Sequence, residues 1–351
     1  METPAGPPSR GRIPGAVGAL LMPLAAGCQS YQPAPLDLRA HREALAERAA
    51  HPEPVAQFAS RLAESGHPAP DRFDLADGLS PSEGEVLALF YNPDLRLARL
   101  EAGIALARSE HAGLWEDPVF GFDAAEILSP ANPFEYGLTL TLTIPISGRL
   151  AVEKDVALAA HEAELRRIVD AEWTLRTRIR IAWAQWAAAH ERVALLQDVV
   201  ARADHIASIT DRLSAAAELT RVEARLIRAQ VASLRADLAA AERDEAAARI
   251  GLLGLMGFPP GADIRLVHDL PPTLAEHTEN EIDRLITANT TLAVARAEYQ
   301  VAEQALRLEI RKQYPDLTIG SGYGSEDDQR LLLGASFPLP VLNANRVIRG
   351  N

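Results

Sequence analysis

The chain has 351 residues, 48% of them hydrophobic but only 5% aromatic, a composition that supplies a large Ala, Leu and Val core and favours helices over sheet sandwiches. A net charge of -13 with acids scattered along the sequence leaves no basic stripe for counterion release from phosphates and argues against nucleic acid as a partner. Cys28 is the only cysteine, so no internal disulfide forms.

Residues 1–28 read as a secretory signal, from Arg10 and Arg12 through an apolar stretch at Ala16 to Met22 and on to Leu24-Ala25-Ala26-Gly27-Cys28. The stretch is too short to span a membrane. Its end resembles a bacterial lipobox, whose cysteine becomes the diacylated N-terminus of the mature protein, with Ala25 in place of the usual Leu. The alternative is an ordinary signal with an incidental cysteine. Residues 29–79, rich in Pro, Ala and charge with helical patterns around 36–49 and 54–64, read as a linker. Beyond residue 28 no apolar run approaches the roughly 20 residues of a membrane helix.

Ser80-Pro81-Ser82-Glu83 supplies an N-cap, a Pro at the first helical position and a capping-box Glu. One helix of about 32 residues is predicted from there to near Leu114. From Pro118 the period changes to two. Val119 to Asp123 places Phe120 and Phe122 on one face, Ser129 to Pro133 has turn chemistry, and Gly137 to Ile144 alternates strictly. Leu138, Leu140, Leu142 and Ile144 fall on one face, and Thr139, Thr141 and Thr143 on the other. An ordinary half-buried antiparallel sheet has the same alternation.

After Gly148 a heptad seam runs through Leu175, Ile179, Ala182, Trp186, Ala189, Val193, Leu196, Val200, Ala203 and Ala207. A second begins at Ile227 and Val231 and continues to Leu255, interrupted by Glu245, with a small-residue face of Ala229, Ala236, Ala240 and Ala247. Helices with two seams need neighbours on two sides, as staves of a tube do. The predicted helix 149–214 would be about 99 Å long, and helices 220–256 and 279–313 about 56 and 53 Å. The two shorter ones together match the long one, which is too long and thin an arrangement for a globular enzyme.

At an offset of 197 residues, Asn92, Leu95, Ala98, Arg99, Glu101, Ala105 and Pro118 meet Asn289, Leu292, Ala295, Arg296, Glu298, Ala302 and Pro315. Thr278-Glu279-Asn280-Glu281 repeats the capping box, and strands are predicted at Leu317 to Tyr323 and Leu331 to Phe337. The organisation is therefore a signal (1–28), a linker (29–79), a first repeat of helix, two strands and helical hairpin (80–257), a connection (258–278) and a second repeat of helix and two strands (279–351). The fold class is mainly α with a small β part.

With Asn92-Pro93-Asp94-Leu95, the strand end Leu142-Thr143-Ile144-Pro145, the tip Ala217 to Glu223 and the closing Phe337-Pro338-Leu339, the sequence resembles the TolC-like outer-membrane efflux proteins of Gram-negative bacteria. The resemblance covers residue 75 to the end. It implies a homotrimer in which four strands per protomer close a 12-stranded barrel in the outer membrane, while the helices form a tunnel across the periplasm. Leu138, Leu140, Leu142 and Ile144 then face outer-membrane lipid. It also implies a passive exit duct for an inner-membrane pump, docked to a periplasmic adaptor through Ala217, Glu218, Leu219, Thr220, Arg221 and Val222, with Ala217 at a position the family fills with glycine.

Nine histidines without ligand spacing predict no metal site. Gly320-Ser321-Gly322-Tyr323-Gly324 lacks the Lys and following helix of a phosphate loop, and Trp183 and Trp186 read as core. No cofactor and no catalysis are expected. Two further readings are a periplasmic coiled-coil lipoprotein scaffold without channel activity, and a hydrolase or metalloenzyme whose site is not visible. Thirteen residues, Leu339 to Asn351, follow Pro338 where a second hairpin is expected, with Arg346 at the place of Arg149. The sequence is on this reading incomplete or truncated: a further heptad hairpin is expected downstream, and the 351-residue product is expected to aggregate or be degraded rather than form a conducting channel.

Overall fold

A computed structural model describes residues 31–48, 52–67, 70, 73–75, 77–126, 134–268, 281–326 and 328–339. Two compact units divide the chain, Met1–Leu45 and Ala46–Asn351. Helix α1 (Leu38–Glu47) starts in the first, where the Asp37 carboxylate accepts the backbone N–H groups of Arg39 and Ala40 at 2.9 and 3.0 Å. All later elements lie in the second unit.

Helix α2 (Glu53–Glu64) falls within the segment read as a linker, yet its Val55 and Ala59 are buried in the main apolar cluster. The single helix predicted after Ser80 is two helices, α3 (Pro81–Tyr91) and α4 (Pro93–Glu110). The Ser80 capping box opens α3 as its residues dictate. Pro93 has no N–H and pushes the residue before it out of the helical region, so Asn92 adopts ψ 126° and the helix stops. The Asn92 side chain then restarts it, accepting the N–H groups of Asp94 and Leu95 at 3.0 and 3.1 Å while donating to the Leu255 carbonyl at 3.0 Å. A periodicity that is continuous across one residue cannot reveal such a break.

Strands β1 (Val119–Glu126) and β2 (Phe134–Ile144) follow, then α5 (Arg149–Ala215), 67 residues long, and α6 (Arg221–Leu255). Every residue of the predicted α5 seam from Leu175 to Ala207 is buried or half-buried. On α6, Val231, Ala241 and Leu252 are buried, whereas Ala229, Ala236 and Ala247 on the small face are exposed. Glu245, which interrupts the seam, accepts a hydrogen bond from Trp186 Nε1 at 2.9 Å.

The predicted helix 279–313 also divides, into α7 (Glu281–Ala288) and α8 (Thr290–Lys312). Asn289 caps α8 by accepting the Leu292 N–H at 2.8 Å, and it is the repeat mate of Asn92. The two breaks are thus one feature used twice. The second capping box and the β1–β2 turn lie outside the described residues, as do residues 340–351. Strands β3 (Leu317–Glu326) and β4 (Asp328–Ser336) complete a four-stranded antiparallel sheet in the order β1-β2-β3-β4, its central β2–β3 pair joining the two repeats.

The core sits far from that sheet, where α2, α3, mid-α5 and the end of α6 meet around Leu87, Leu89, Ile179, Trp183, Leu252 and Met256. Gly84 permits the approach of Trp183, because a Cβ there would stand 2.6 Å from its ring. Trp183 Nε1 donates to the Val267 carbonyl at 3.0 Å. Leu79 pairs with the same segment, donating to Arg265 O at 2.8 Å and accepting from Val267 N at 2.9 Å. Truncating a buried Trp costs about 3–5 kcal/mol, so this cluster anchors the helices.

Candidate membrane sheet and hairpin tip

Residues directly opposite each other in an antiparallel pair share a face, so the strand registers assign both faces of the sheet. One carries the rows Phe122-Leu138-Tyr323-Leu331, Phe120-Leu140-Ser321-Leu333, Leu142-Ile319-Ala335 and Ile144-Leu317. No charged residue interrupts these four rows. The other face carries Asp123-Gly137-Gly324-Arg330, Gly121-Thr139-Gly322-Leu332, Val119-Thr141-Gly320-Gly334 and Thr143-Thr318-Ser336. It is made mainly of Gly, Thr and Ser, with charge at its loop end.

A soluble sheet would cover an apolar face of this size. Among the described residues no helix packs over either face to any extent, and Phe120, Phe122, Leu140, Leu331 and Leu333 are exposed in the single chain. The predicted set Leu138, Leu140, Leu142 and Ile144 is therefore the second column of a four-strand apolar surface. Alternation within one strand showed that column. The partnership with β3 and β4, and the Tyr136 and Tyr323 rings 6.5 Å apart, depend on register, which the sequence does not display. Among the described residues no helix is long and apolar enough to cross a membrane.

Arg149 fastens the sheet to α5. Its guanidinium donates to Glu116 ahead of β1 at 2.9 Å, to Asp316 ahead of β3 at 2.9 Å and to Glu153 one turn on at 2.8 Å. Burial alone would lower its pKa, but the three carboxylates outweigh this and raise it above the ordinary arginine value. The first residue of α5 thereby fixes the approaches to one strand from each repeat.

At the other end of α5 the predicted tip residues form the turn Ala217 to Thr220 and the first two residues of α6. The Ala217 N–H donates to Ser214 O at 3.2 Å and the Glu218 N–H to Leu213 O at 2.9 Å, a Schellman motif. Ala217 occupies its left-handed position at φ 61°, where glycine carries no Cβ penalty. Thr220 then caps α6: its hydroxyl accepts the Glu223 N–H at 3.3 Å, and the Glu223 carboxylate accepts the Thr220 hydroxyl and N–H at 2.7 and 2.9 Å. The Thr220 hydroxyl first, and its N–H second, hold the Glu223 carboxyl below its ordinary range. Val222 is 75% exposed and Leu226, one turn later, 69%. Leu226 was not among the predicted tip residues, although its i+4 spacing from Val222 signals the shared face.

Cys28 lies outside the described residues. Gly320 to Gly324 lie in β3, and Trp183 and Trp186 are buried. His190 packs between the rings of Trp186 and His268, and among the described residues no group of three or more His, Cys, Asp or Glu side chains is placed to hold a metal ion.

No protein-family model matches the chain, and no curated protein matches it in sequence. Solved structures do match. The outer-membrane channel OprN superposes with a TM-score of 0.64 at 16% identity, over 81% of this chain and 71% of that one. The Campylobacter jejuni CmeC outer membrane channel gives 0.61 at 16% identity, over 78% and 65%. The Vibrio cholerae outer membrane protein VceC gives 0.59 at 18% identity, over 77% and 70%. The chain has the TolC-like outer-membrane channel fold, mostly helical with a small four-stranded sheet.

Proposed function

We propose that the chain is a protomer of an outer-membrane efflux channel, a passive exit duct for substrates that an inner-membrane pump and a periplasmic adaptor deliver. The observation that carries this reading is the segregation of the sheet into an apolar face and a Gly/Thr face, neither covered by a second layer among the described residues. Such a surface suits a lipid exterior and an aqueous lumen. Among the described residues the outer edges of β1 and β4 have no strand neighbour, and pairing between copies would satisfy their backbone groups. Three copies would give twelve strands, the homotrimer that the resemblance implies.

In this reading Cys28 carries the lipid, and the hairpin tip from Ala217 to Val222 meets the adaptor. Exposed Val222 and Leu226, on the first turns of α6 beside a turn held rigid from both sides, suit a protein contact. The competing reading is a periplasmic coiled-coil lipoprotein scaffold, which would be held at the membrane by its lipid alone.

One experiment separates the two. The full chain carrying Cys28→Ser is exported behind a signal cleaved by the ordinary signal peptidase, and the cells are fractionated. A channel protomer stays in the outer membrane and needs detergent for extraction. A scaffold is released to the soluble periplasmic fraction, which would overturn the proposal. Cross-linking from cysteines placed at 218, 219 and 220 then tests the adaptor contact, and cross-links found only near the strands would exclude a tip-first orientation.

A further inference from the structure

The Gly/Thr face of the sheet is hollowed at its loop end by a cavity of about 320 Å³. Gly137, Gly322 and Gly324 form its floor, Asp123 and Glu135 one wall and Leu332 the other. From the outer strands it takes only Asp123, Ala125, Arg330 and Leu332, all residues of this face, so the hollow lies on the side opposite the apolar rows. Missing side chains create it. A Cβ at residue 137 would stand 2.5 Å from Asp123 Oδ2, and its absence lets that carboxylate lie across β2 at the cavity edge. A Cβ at residue 324 would stand 2.6 Å from the Tyr136 carbonyl oxygen, so the floor there is bare backbone.

The three rows of this face nearer α5 contain no charged residue. Charge begins at the cavity. Asp123 is exposed, and among the described residues its carboxylate has no hydrogen-bond or ion-pair partner. Arg330, across the glycine floor, has interactions of its own. Leu332 is 65% exposed and gives the hollow an apolar side on a face otherwise made of Gly, Thr and Ser.

Resting on the membrane reading above, we propose that this cavity is an exit-side subsite for organic ammonium cargo, in which the Asp123 carboxylate pairs with the ammonium and Leu332 takes the apolar body. Glu135 adds a second negative charge to the wall, so an anion of the same size is repelled. The volume is at the lower end of the ~300–1,000 Å³ range of small-molecule pockets, which suits a compact amine. A metal ion fits less well, since among the described residues no group of three or more His, Cys, Asp or Glu side chains is placed to hold one. One exposed carboxylate binds weakly, as a duct requires: a site on a conducting path must release what it binds.

Glycine amide signals test this. The full chain, labelled with ¹⁵N-glycine and held in detergent micelles, is titrated with benzylammonium chloride and, separately, with sodium benzenesulfonate. Benzylammonium should shift the amides of Gly137, Gly322 and Gly324 and leave those of Gly148 and Gly251 in place, while benzenesulfonate should shift none of them. Asp123→Asn should weaken the benzylammonium response roughly twofold to fivefold. Gly137→Ala keeps the charge but displaces the carboxylate, and should weaken it as well. Unmoved Gly148 and Gly251 signals in both variants report an intact fold. If the natural chain and both variants respond alike, or if the two probes shift the same glycines, the subsite is wrong although the sheet may still be in the membrane. Release of the Cys28→Ser chain without detergent would instead remove the membrane reading, and the lumenal placement of the cavity with it.

Discussion

Arginine placed at Leu140 or at Thr141 should give opposite outcomes at neighbouring residues. Leu140 lies in the third of five apolar-face levels between Tyr136 and Ile144, in the row Phe120-Leu140-Ser321-Leu333, and so near the bilayer midplane. Arginine facing lipid at that depth costs roughly 2–4 kcal/mol, equivalent to a roughly 30- to 700-fold loss in the folding equilibrium. Leu140 is 50% exposed in the single chain, so in a sheet facing water the same change would leave no deep cavity and would stay within about 0.5 kcal/mol. Thr141 faces Val119, Gly320 and Gly334 across the strands, and those small neighbours leave room for a guanidinium on the lumen side. Urea titration of the full chain folded into lipid vesicles measures both variants against the natural chain. Equal losses at 140 and 141, or no loss at either, would refute the assignment of the two faces.

Other expectations concern the helices. Ala217→Gly relieves a left-handed alanine that costs roughly 1–2 kcal/mol, and should raise hydrogen-exchange protection of the amides of Ala217 and Glu218; unchanged protection would show that the turn carries no strain. Gly84→Ala pushes a methyl group against the Trp183 ring and should cost about 1–3 kcal/mol, read as a lower Tm with altered tryptophan emission. Removing the Asn92 side chain as N92A should cost about 1–2 kcal/mol through the lost cap, with Asp94 and Leu95 amides exchanging faster. The Glu223 carboxyl is depressed below its ordinary value of 4.5, chiefly by the Thr220 hydroxyl. Its capping contribution is therefore complete above pH 4.5 and fades only as pH falls through the lowered pKa. NMR titration should show the Thr220 amide shifting below pH 4.5 in the natural chain, and Thr220→Ala should move the Glu223 titration upward.

The lengths of α5 and α6 and the strand alternation were legible because each follows from a repeated spacing, and repetition outweighs single-residue exceptions. The breaks at Asn92 and Asn289 are such exceptions. At Asn92 the clue was the Asn-Pro dipeptide, which both forbids continuation and offers a cap, whereas Asn289-Thr290 carries only the cap and is recognised through its repeat mate. Glu245 looked like a flaw in the α6 seam, but its carboxylate satisfies the indole N–H of a buried Trp186 across the hairpin, a contact between residues 59 apart. The continuous apolar surface likewise needed strand register, which places Tyr323 beside Leu138 although they lie in different repeats. The Arg149 cluster is opaque in part for the same reason: Glu153 is one turn on along α5, but Asp316 reaches Arg149 from the second repeat.

Alternating solvent exposure along β2 is the sharpest check on a sheet with one face in lipid and the other in a water-filled lumen. With Cys28 replaced by Ser, single cysteines at residues 138 to 143 of the full chain carry a nitroxide label in native outer-membrane vesicles. Collisions with lipid-soluble oxygen should peak at 138, 140 and 142, while collisions with a water-soluble nickel chelate should peak at 139, 141 and 143. Nickel access at all six positions, or no two-residue period in either quencher, would rule out the membrane sheet.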